Sequence, residues 1–142
     1  MDKRELKYFE MRKGHFGLVE EFWERTDGIK LTVGDTEDEF GSYLKRNKGM
    51  SFICKEGRMI IGTILCGHDG RRGFIYHLAV DKNYRNMSIA KTLIGKSIKV
   101  LRSQGIKRCM LMADNINESA KSFWTNMKWR KRDDLQMFSI DL

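Results

Sequence analysis

Three apolar runs, separated only by short turns, occupy the middle of the chain and restrict the folds that it can adopt. They cover residues 51–57, residues 58–67 and Gly73–Val80, and each has the composition of a β-strand. The pair Asp69-Gly70 stands between the second run and the third, where Asp-Gly is typical of a hairpin turn. We therefore predict that the three runs form one antiparallel meander.

Apolar residues at helical spacing are found on both sides of this meander. Before it, residues 16–25 and residues 36–46 predict two helices. After it, a longer helix is predicted, and Gly105 stands where a glycine commonly ends a helix. The apolar face of that longer helix consists of Ile89, Leu93, Ile98 and Leu101.

A last helix is predicted after Asn117, whose side chain can cap the first turn. Its apolar residues follow at positions i, i+3, i+4 and i+7, namely Ala120, Phe123, Trp124 and Met127.

Three further runs predict strands, at residues 6–12, residues 108–113 and the alternating tail of residues 134–140. The element order is therefore β-α-α-β-β-β-α-β-α-β. Strands that are joined through a helix tend to lie parallel, so the strands on either side of the long helix predict a mixed sheet in an α/β fold of the α+β type.

The composition limits the classes of protein to which this chain can belong. The chain has 142 residues, of which 41% are hydrophobic and 32% charged, and this predicts one globular domain over residues 1–142. The three cysteines form no C-x-x-C pair and the three histidines lack ligand spacing, so no metal site is predicted. No apolar run is long enough to span a bilayer and the first ten residues lack a signal-peptide pattern, so we expect a cytoplasmic protein without a membrane partner.

The net charge of the chain is +8, and its calculated isoelectric point is about 9.5. A basic surface attracts polyanions such as nucleic acids, acidic proteins or phosphorylated cofactors. Neither zinc-finger spacing nor an aromatic RNA-reading motif accompanies this charge. A nucleic-acid partner is therefore not expected.

The segment VDKNYRNMSIAKTLI, residues 80–94, leads from an apolar strand through a polar turn into the long helix. Amides at a helix N-terminus lack intrahelical partners and can bind an anion. Ser88 and Ala90 are small enough to let a diphosphate approach the backbone, and Arg85 and Lys91 add positive charge. The alternative is an ordinary turn in which Ser88 only caps the helix. The segment taken alone favours neither interpretation.

Two stretches, YHLAVDKNYRNMSIAKTLI and NINESAKSFWTNMKW, together resemble the GNAT superfamily of acetyl-CoA-dependent N-acetyltransferases. In that family, an L-A-V-like strand end precedes R/Q-x-x-G-x-G/A, and here Leu78-Ala79-Val80 precedes Arg85-x-x-Ser88-x-Ala90. The later family signature, N-x-x-A-x-x-F-Y-x-x-x-G-F, is matched by the following residues: Asn117, Ala120, Phe123, Trp124 and Trp129. The element order also agrees, so the resemblance covers nearly the whole chain.

The resemblance implies a mixed, mostly antiparallel and twisted sheet of six to seven strands with about four flanking helices. It implies an enzyme that transfers the acetyl group of acetyl-CoA to a primary amine by direct attack in a ternary complex, without a metal, as a monomer or a homodimer. The alternative is a catalytically weak module of the same fold that binds CoA or acyl-CoA. The implied cofactor-binding residues are Leu78, Ala79, Val80, Arg85, Asn86, Met87, Ser88, Ile89, Ala90, Lys91, Asn117 and Phe123.

The same resemblance leaves the proton donor open. The family's usual donor to the departing thiolate is a tyrosine at the position of Trp124, and an indole N–H cannot act as an acid near neutral pH. Tyr76 is the alternative, because strict strand alternation puts Phe74, Tyr76, Leu78 and Val80 on the face that looks into the active site in this family. The same alternation predicts that His77 lies on the opposite face, as a structural residue.

Overall fold

The computed structural model describes residues 5–142 and divides into two compact units, the first ending at Met112 and the second spanning Ala113–Leu142. The first unit contains a β-sheet and three of the α-helices, and the second contains one more α-helix. The prediction of one domain over residues 1–142 stays a prediction, and residues 1–4 lie outside the described residues. None of the described helices is long and apolar enough to cross a membrane.

The sheet has five strands in the described residues, and their spatial order follows the chain. The strands are β1 (Leu6–Glu10), β2 (Phe52–Glu56), β3 (Met59–His68), β4 (Gly73–Val80) and β5 (Cys109–Leu111). β1 to β4 pair antiparallel, whereas β4 and β5 pair parallel. The predicted meander and the predicted mixed sheet are both confirmed.

Four α-helices flank this order, namely α1 (Phe16–Glu24), α2 (Glu37–Arg46), α3 (Ile89–Ser103) and α4 (Glu118–Asn126). Thr36 begins α2 with a capping box, since its hydroxyl accepts the Glu39 N–H at 3.2 Å while the Glu39 carboxylate accepts the Thr36 N–H at 3.3 Å. Gly105 follows α3 with a φ of 78°, in the left-handed region that this position requires. The predicted helices are therefore confirmed.

The predicted strand over residues 134–140 is wrong, because this tail forms neither a strand nor a helix. Its apolar side chains are exposed, Met137 by 72% and Phe138 by 88%. Alternation describes which side chains would share a face, but a strand also needs a neighbour for its backbone hydrogen bonds, and no described strand pairs with the tail. The sheet consequently has five strands rather than the six to seven that were predicted.

Helices α1 and α2 cover one face of the sheet, and α3 covers the other. Phe22 and Trp23 of α1 are almost fully buried in a core cluster with Phe40 of α2, Leu65 of β3 and Ala79 of β4. On the α3 side, a Cβ added to Gly62 would lie 2.9 Å from Ile89, so the glycine lets α3 approach β3 closely.

A β-bulge interrupts β4. Leu65 lies opposite Tyr76 but Thr63 lies opposite Ala79, so β4 holds one residue more than β3 in this stretch. His77 absorbs the irregularity with a φ of 45°, which is rare for a residue other than glycine. Because each inserted residue inverts the alternation, faces assigned by counting in twos are wrong beyond this point.

The bulge corrects two predictions about side-chain direction. Tyr76 lies 6.5 Å from Tyr43 of α2 and His77 lies 4.7 Å from Trp23 of α1, measured between ring centroids, so both point to the α1–α2 face. Val80 lies opposite Gly62, whose open side faces α3. Hence Tyr76 and Val80 do not share a face, and His77 is on the side of Tyr76 rather than opposite to it.

Candidate active site

A gap opens along β4 where β5 stops. β4 pairs with β5 only through Gly73, Phe74 and Ile75, which lie beside Cys109, Met110 and Leu111. β4 continues to Val80, and in the described part of the chain no strand pairs with the β5-facing edge of its last five residues. Backbone N–H and C=O groups on such an edge are available to an extended ligand.

The chain leaves β4 through a short 3₁₀ turn, Lys82–Tyr84, which is firmly anchored. The Asp81 N–H donates to the carbonyl of Ile61 at 2.8 Å, and the Asp81 carboxylate accepts the Asn83 N–H at 2.9 Å. Tyr84 is buried, and its hydroxyl donates to the Glu56 carboxylate at 2.7 Å. These bonds fix the start of the segment that follows.

The next four residues, Arg85 to Ser88, expose their side chains, and two of them have left-handed backbone. Asn86 has a φ of 63° and Ser88 a φ of 60°, both in the left-handed region. Glycine adopts this region freely, whereas other residues are strained there by roughly 1 kcal/mol or more. The chain thus has the backbone conformation of a glycine-rich loop without its glycines. Left-handed residues within a turn can direct successive N–H groups toward one side, as in an anion-binding nest.

Helix α3 begins directly after this loop, and its N-terminus is uncapped by any side chain in the described residues. Ser88 is the N-cap residue, but its hydroxyl makes no capping bond. Only the Ser88 carbonyl is engaged, by the Thr92 N–H at 3.0 Å and the Thr92 hydroxyl at 2.8 Å. Ser88 therefore occupies the N-cap position, as the alternative interpretation predicts, but without a capping side-chain bond. The first turn holds no acidic residue, and Lys91 adds a cation, so this helix end suits an anion.

Tyr76 stands on the α1–α2 face at the edge of an aromatic group. Its ring stacks on Phe74 with 6.0 Å between centroids, and its side chain is 38% exposed. Partial burial raises the pKa of the Tyr76 phenol, which therefore stays protonated at neutral pH. The neighbouring Tyr43 hydroxyl is buried without a hydrogen bond to any described residue, and burial raises its pKa as well.

His77, which sequence reasoning assigned to the other face, is held by three neighbours. Its Nε2 lies 2.9 Å from Oδ1 of Asp35, in the segment between α1 and α2. Its ring meets Trp23 edge-on, and its carbonyl accepts the Thr63 hydroxyl at 2.9 Å. The Trp23 indole N–H in turn donates to the Thr63 hydroxyl at 2.9 Å. Asp35 precedes His77 by 42 positions and no local pattern links the two residues, so the sequence offers no signal for this pair.

The second unit contains the remaining predicted site residues. The side-chain oxygen of Asn117 accepts the Ala120 N–H at 3.0 Å and so caps α4, as predicted. The Trp124 ring lies 5.1 Å from that of Phe123 and 4.7 Å from that of Trp129, measured between centroids. Roles in cofactor binding for Asn117 and Phe123, and at the donor position for Trp124, stay predictions.

Charge is unevenly distributed along the chain. Residues 16–40, which include α1 and the segment leading to α2, hold eight acidic residues and only two basic ones, in a chain whose net charge is +8. The acidic residues include Asp35, whose second carboxylate oxygen accepts the Thr32 N–H at 2.9 Å. Across residues 5–142, no group of three or more potential ligands could hold a metal ion.

Comparison with known proteins agrees with this geometry. The acetyltransferase (GNAT) family model matches residues 16–129. An acetyltransferase of Sodalis glossinidius (strain morsitans) is 28% identical over 129 residues, which cover 91% of this chain and 89% of the relative.

Two solved structures illustrate the fold. A GNAT-family acetyltransferase of Staphylococcus aureus Mu50 has a TM-score of 0.78 at 24% identity, covering 97% of this chain and 95% of that one. An aminoglycoside acetyltransferase from an uncultured soil metagenomic sample, in complex with sisomicin, has a TM-score of 0.71 at 19% identity, with 96% of each chain covered.

Proposed function

The chain belongs to the GNAT family of acetyltransferases and is an acetyl-CoA-dependent N-acetyltransferase, and on this premise we propose that its acceptor is a primary amine, which attacks acetyl-CoA directly in a ternary complex. The observation that supports the cofactor half of this ternary complex is the loop from Arg85 to Ser88, which leads with left-handed backbone into an uncapped helix beside the unpaired edge of β4.

The loop supplies what a diphosphate requires. The amides of Ile89, Ala90 and Lys91 belong to the first turn of α3, where N–H groups have no intrahelical acceptor. Asn86 and Met87 would contribute the preceding amides, and Arg85 would add a charge-assisted bond from its exposed guanidinium. The exposed side chains of this loop leave the backbone accessible, which is consistent with close approach of the diphosphate.

The unpaired edge of β4 supports a role for Leu78, Ala79 and Val80 in holding the pantetheine arm. An extended chain that carries amides can hydrogen-bond to such an edge as a further strand would. The length of the unpaired edge is consistent with this role, because five residues of β4 extend past the end of β5. The thioester would then lie near the bulge, where a backbone N–H could stabilise the oxyanion that forms during attack.

The acceptor amine reaches the enzyme as a cation, since a lysine-like amine has a pKa of about 10.4. The acidic segment of residues 16–40 favours the approach of such a cation, whereas the basic remainder of the chain favours the polyanionic cofactor. Tyr76 is our proposed donor to the departing thiolate, because its phenol keeps its proton at neutral pH and lies on the α1–α2 face. The indole at Trp124 cannot supply that proton.

Calorimetric titration with acetyl-CoA tests the cofactor site. Ser88→Tyr places a bulky side chain at the left-handed position of the loop and should weaken binding at least about tenfold, equivalent to roughly 1.4 kcal/mol. Ser103→Tyr is the matched control, because Ser103 is exposed at the far end of α3. Equal binding by the parent protein and the Ser88→Tyr variant would show that the diphosphate lies elsewhere.

Release of CoA thiol in the presence of amines tests the transfer itself. The panel comprises spermidine, an aminoglycoside and a lysine-containing peptide, each with acetyl-CoA at saturation. Thiol release that depends on one of these amines supports the proposal. Tight acetyl-CoA binding without amine-dependent release from any of them would favour the alternative, a catalytically weak CoA-binding module.

A further inference from the structure

We propose that His77, oriented by Asp35, is the general base that takes the proton from the acceptor ammonium. The inference rests on the proposed function, because it assigns a step of that same reaction. It starts from the bulge in β4, which turns two consecutive side chains, Tyr76 and His77, to the α1–α2 face. In a regular strand these two side chains would point to opposite faces.

The backbone of His77 indicates that neighbouring residues hold this side chain in a fixed position. A φ of 45° is strained for a side chain of this size, and such strain persists only where neighbours hold it. Here the His77 carbonyl is held by the Thr63 hydroxyl, which also receives the Trp23 indole N–H. The Trp23 ring then packs against the imidazole.

The hydrogen bond to Asp35 decides which nitrogen can accept a proton. Because the carboxylate of Asp35 can only accept, the 2.9 Å contact requires the proton on Nε2 of His77. Nδ1 of the neutral ring then keeps its lone pair, and no described residue donates to it. Asp35 is itself fixed, since its other oxygen accepts the Thr32 N–H. This carboxylate–imidazole arrangement also stabilises the imidazolium that forms on protonation.

The surroundings of His77 contain few other titratable groups. From α1 it meets the uncharged Trp23, from β3 the uncharged Thr63, and from the segment before α2 the carboxylate of Asp35. Along β4 the next titratable side chain is Tyr76, which contacts Tyr43 of α2. Both phenols are neutral at physiological pH, because burial raises their pKa values. Among these described neighbours, Asp35 is therefore the one whose carboxylate contacts the ring.

The resulting step balances in protons and electrons. The ammonium of the acceptor gives one proton to Nδ1 of His77 and becomes a neutral amine. The lone pair of its nitrogen forms a C–N bond to the thioester carbonyl carbon, and the C–S bond then breaks with its electron pair on sulfur. Tyr76 gives its phenolic proton to the thiolate, and the second proton that the nitrogen loses passes through solvent to the Tyr76 phenolate and restores the phenol. The imidazolium finally returns its proton to solvent, so one proton is released for each acetyl group transferred.

His77→Gln tests this role, because a glutamine amide can still donate to Asp35 but cannot take up a proton. With spermidine, the aminoglycoside or the lysyl peptide as the acceptor that the parent protein turns over, we expect kcat to fall by about 10²-fold or more, as for loss of a general base. The dissociation constant of acetyl-CoA should change less than about twofold. The decline of kcat/KM at acidic pH should disappear in the variant.

His68→Gln is the matched control, since His68 is a second partly exposed histidine that bonds to Gln104 beside the β3–β4 hairpin. It should keep the parent kcat. A second variant, His77→Ala, adds a readout that a structural role would not move, because added imidazole should restore part of the lost kcat. Asp35→Asn should also lower kcat, since the amide can hold the tautomer whose Nδ1 carries a proton and cannot accept another.

Each outcome decides between the inference and the function on which it rests. If the parent protein turns over an amine and His77→Gln keeps its kcat, the inference is overturned and the proposed function stands. If kcat, acetyl-CoA affinity and thermal midpoint all fall together, without rescue by imidazole, His77 is structural and the inference is also overturned. If the parent binds acetyl-CoA but acetylates no amine of the panel, the proposed function fails, and the inference fails with it.

Discussion

The bulge in β4 and the loop before α3 both hold residues other than glycine in left-handed backbone, but they do so by different means. His77 is locked through its own side chain, by Asp35 and by packing against Trp23. Asn86 and Ser88 expose their side chains, and their loop is fixed at its ends by the buried residues Tyr84 and Ile89. The left-handed backbone is therefore held in place by contacts of the residue's own side chain in one region. In the other region it is held by the buried residues at the two ends of the loop.

This difference indicates which chemical task each region suits. Where side chains hold the backbone, they converge in a fixed arrangement, which is what proton transfer requires. Where flanking anchors hold it, the exposed side chains make no bond that caps α3, so the amides of the first helical turn stay available to an anion. Substitution by glycine separates the two cases, because it relieves the same strain in both while removing side-chain contacts in only one.

The largest effect is expected from His77→Gly. Relief of the left-handed strain should not compensate for the lost hydrogen bond to Asp35 and the lost packing on Trp23, so the free energy of unfolding should fall by roughly 1–2 kcal/mol. Urea denaturation followed by tryptophan fluorescence measures this change. Lys128→Gly is the control, since Lys128 also has a positive φ, of 69°, but is exposed after the end of α4. A gain in stability for both variants would contradict the comparison.

A second prediction concerns alkaline pH and the Tyr43 hydroxyl near the bulge. Burial raises the pKa of Tyr43 above its usual value of 10.0, so its contribution to stability is complete below pH 10 and is lost progressively as the pH rises from 10 to the folded-state pKa. Tyr43→Phe removes that loss. At pH 11 the variant should therefore retain about 1 kcal/mol more of its neutral-pH stability than the parent.

The measurement is the free energy of unfolding at pH 8 and at pH 11 for both proteins. Tyr8→Phe serves as a comparison, because burial also raises the pKa of Tyr8, which is only partly buried, and a smaller difference is expected there. Parallel losses in the parent and in Tyr43→Phe would show that other groups govern alkaline unfolding.

The smallest effect is expected from Ser88→Gly in the loop. Here the glycine relieves strain and removes no side-chain hydrogen bond that caps α3, so stability should rise by about 0.5 kcal/mol. Ser42→Gly is the control within an ordinary helix, at an exposed position of α2, and it should lower stability by about 0.5 kcal/mol. Loss of stability in Ser88→Gly would mean that the serine side chain contributes to holding the loop.

The sequence was sufficient to predict the elements that depend on local pattern. The bounds of β4 were predicted residue by residue, and the helix ends at Gly105 and Asn117 follow from their capping chemistry. The loop before α3 was placed correctly as well, because its position between an apolar strand and an amphipathic helix is a local feature. Its cofactor contacts stay predictions.

The features that the sequence did not predict depend on contacts between distant residues. Alternation cannot show an inserted residue, so the bulge at His77 inverted the predicted faces beyond it. Nothing near Asp35 indicates that its partner follows 42 positions later. The tail of residues 134–140 alternates as a strand does, but pairing depends on a neighbouring edge that the pattern does not specify.

The bulge also has a consequence for how copies of the chain behave at high concentration. A regular strand edge without a partner is a template on which another molecule can add a strand and begin to aggregate. β4 has such an edge where β5 ends, but the extra residue at His77 breaks the regular spacing of its N–H and C=O groups. An intruding strand would therefore lose register within a few residues. The same irregularity that turns His77 to the α1–α2 face should therefore disfavour self-association through this edge.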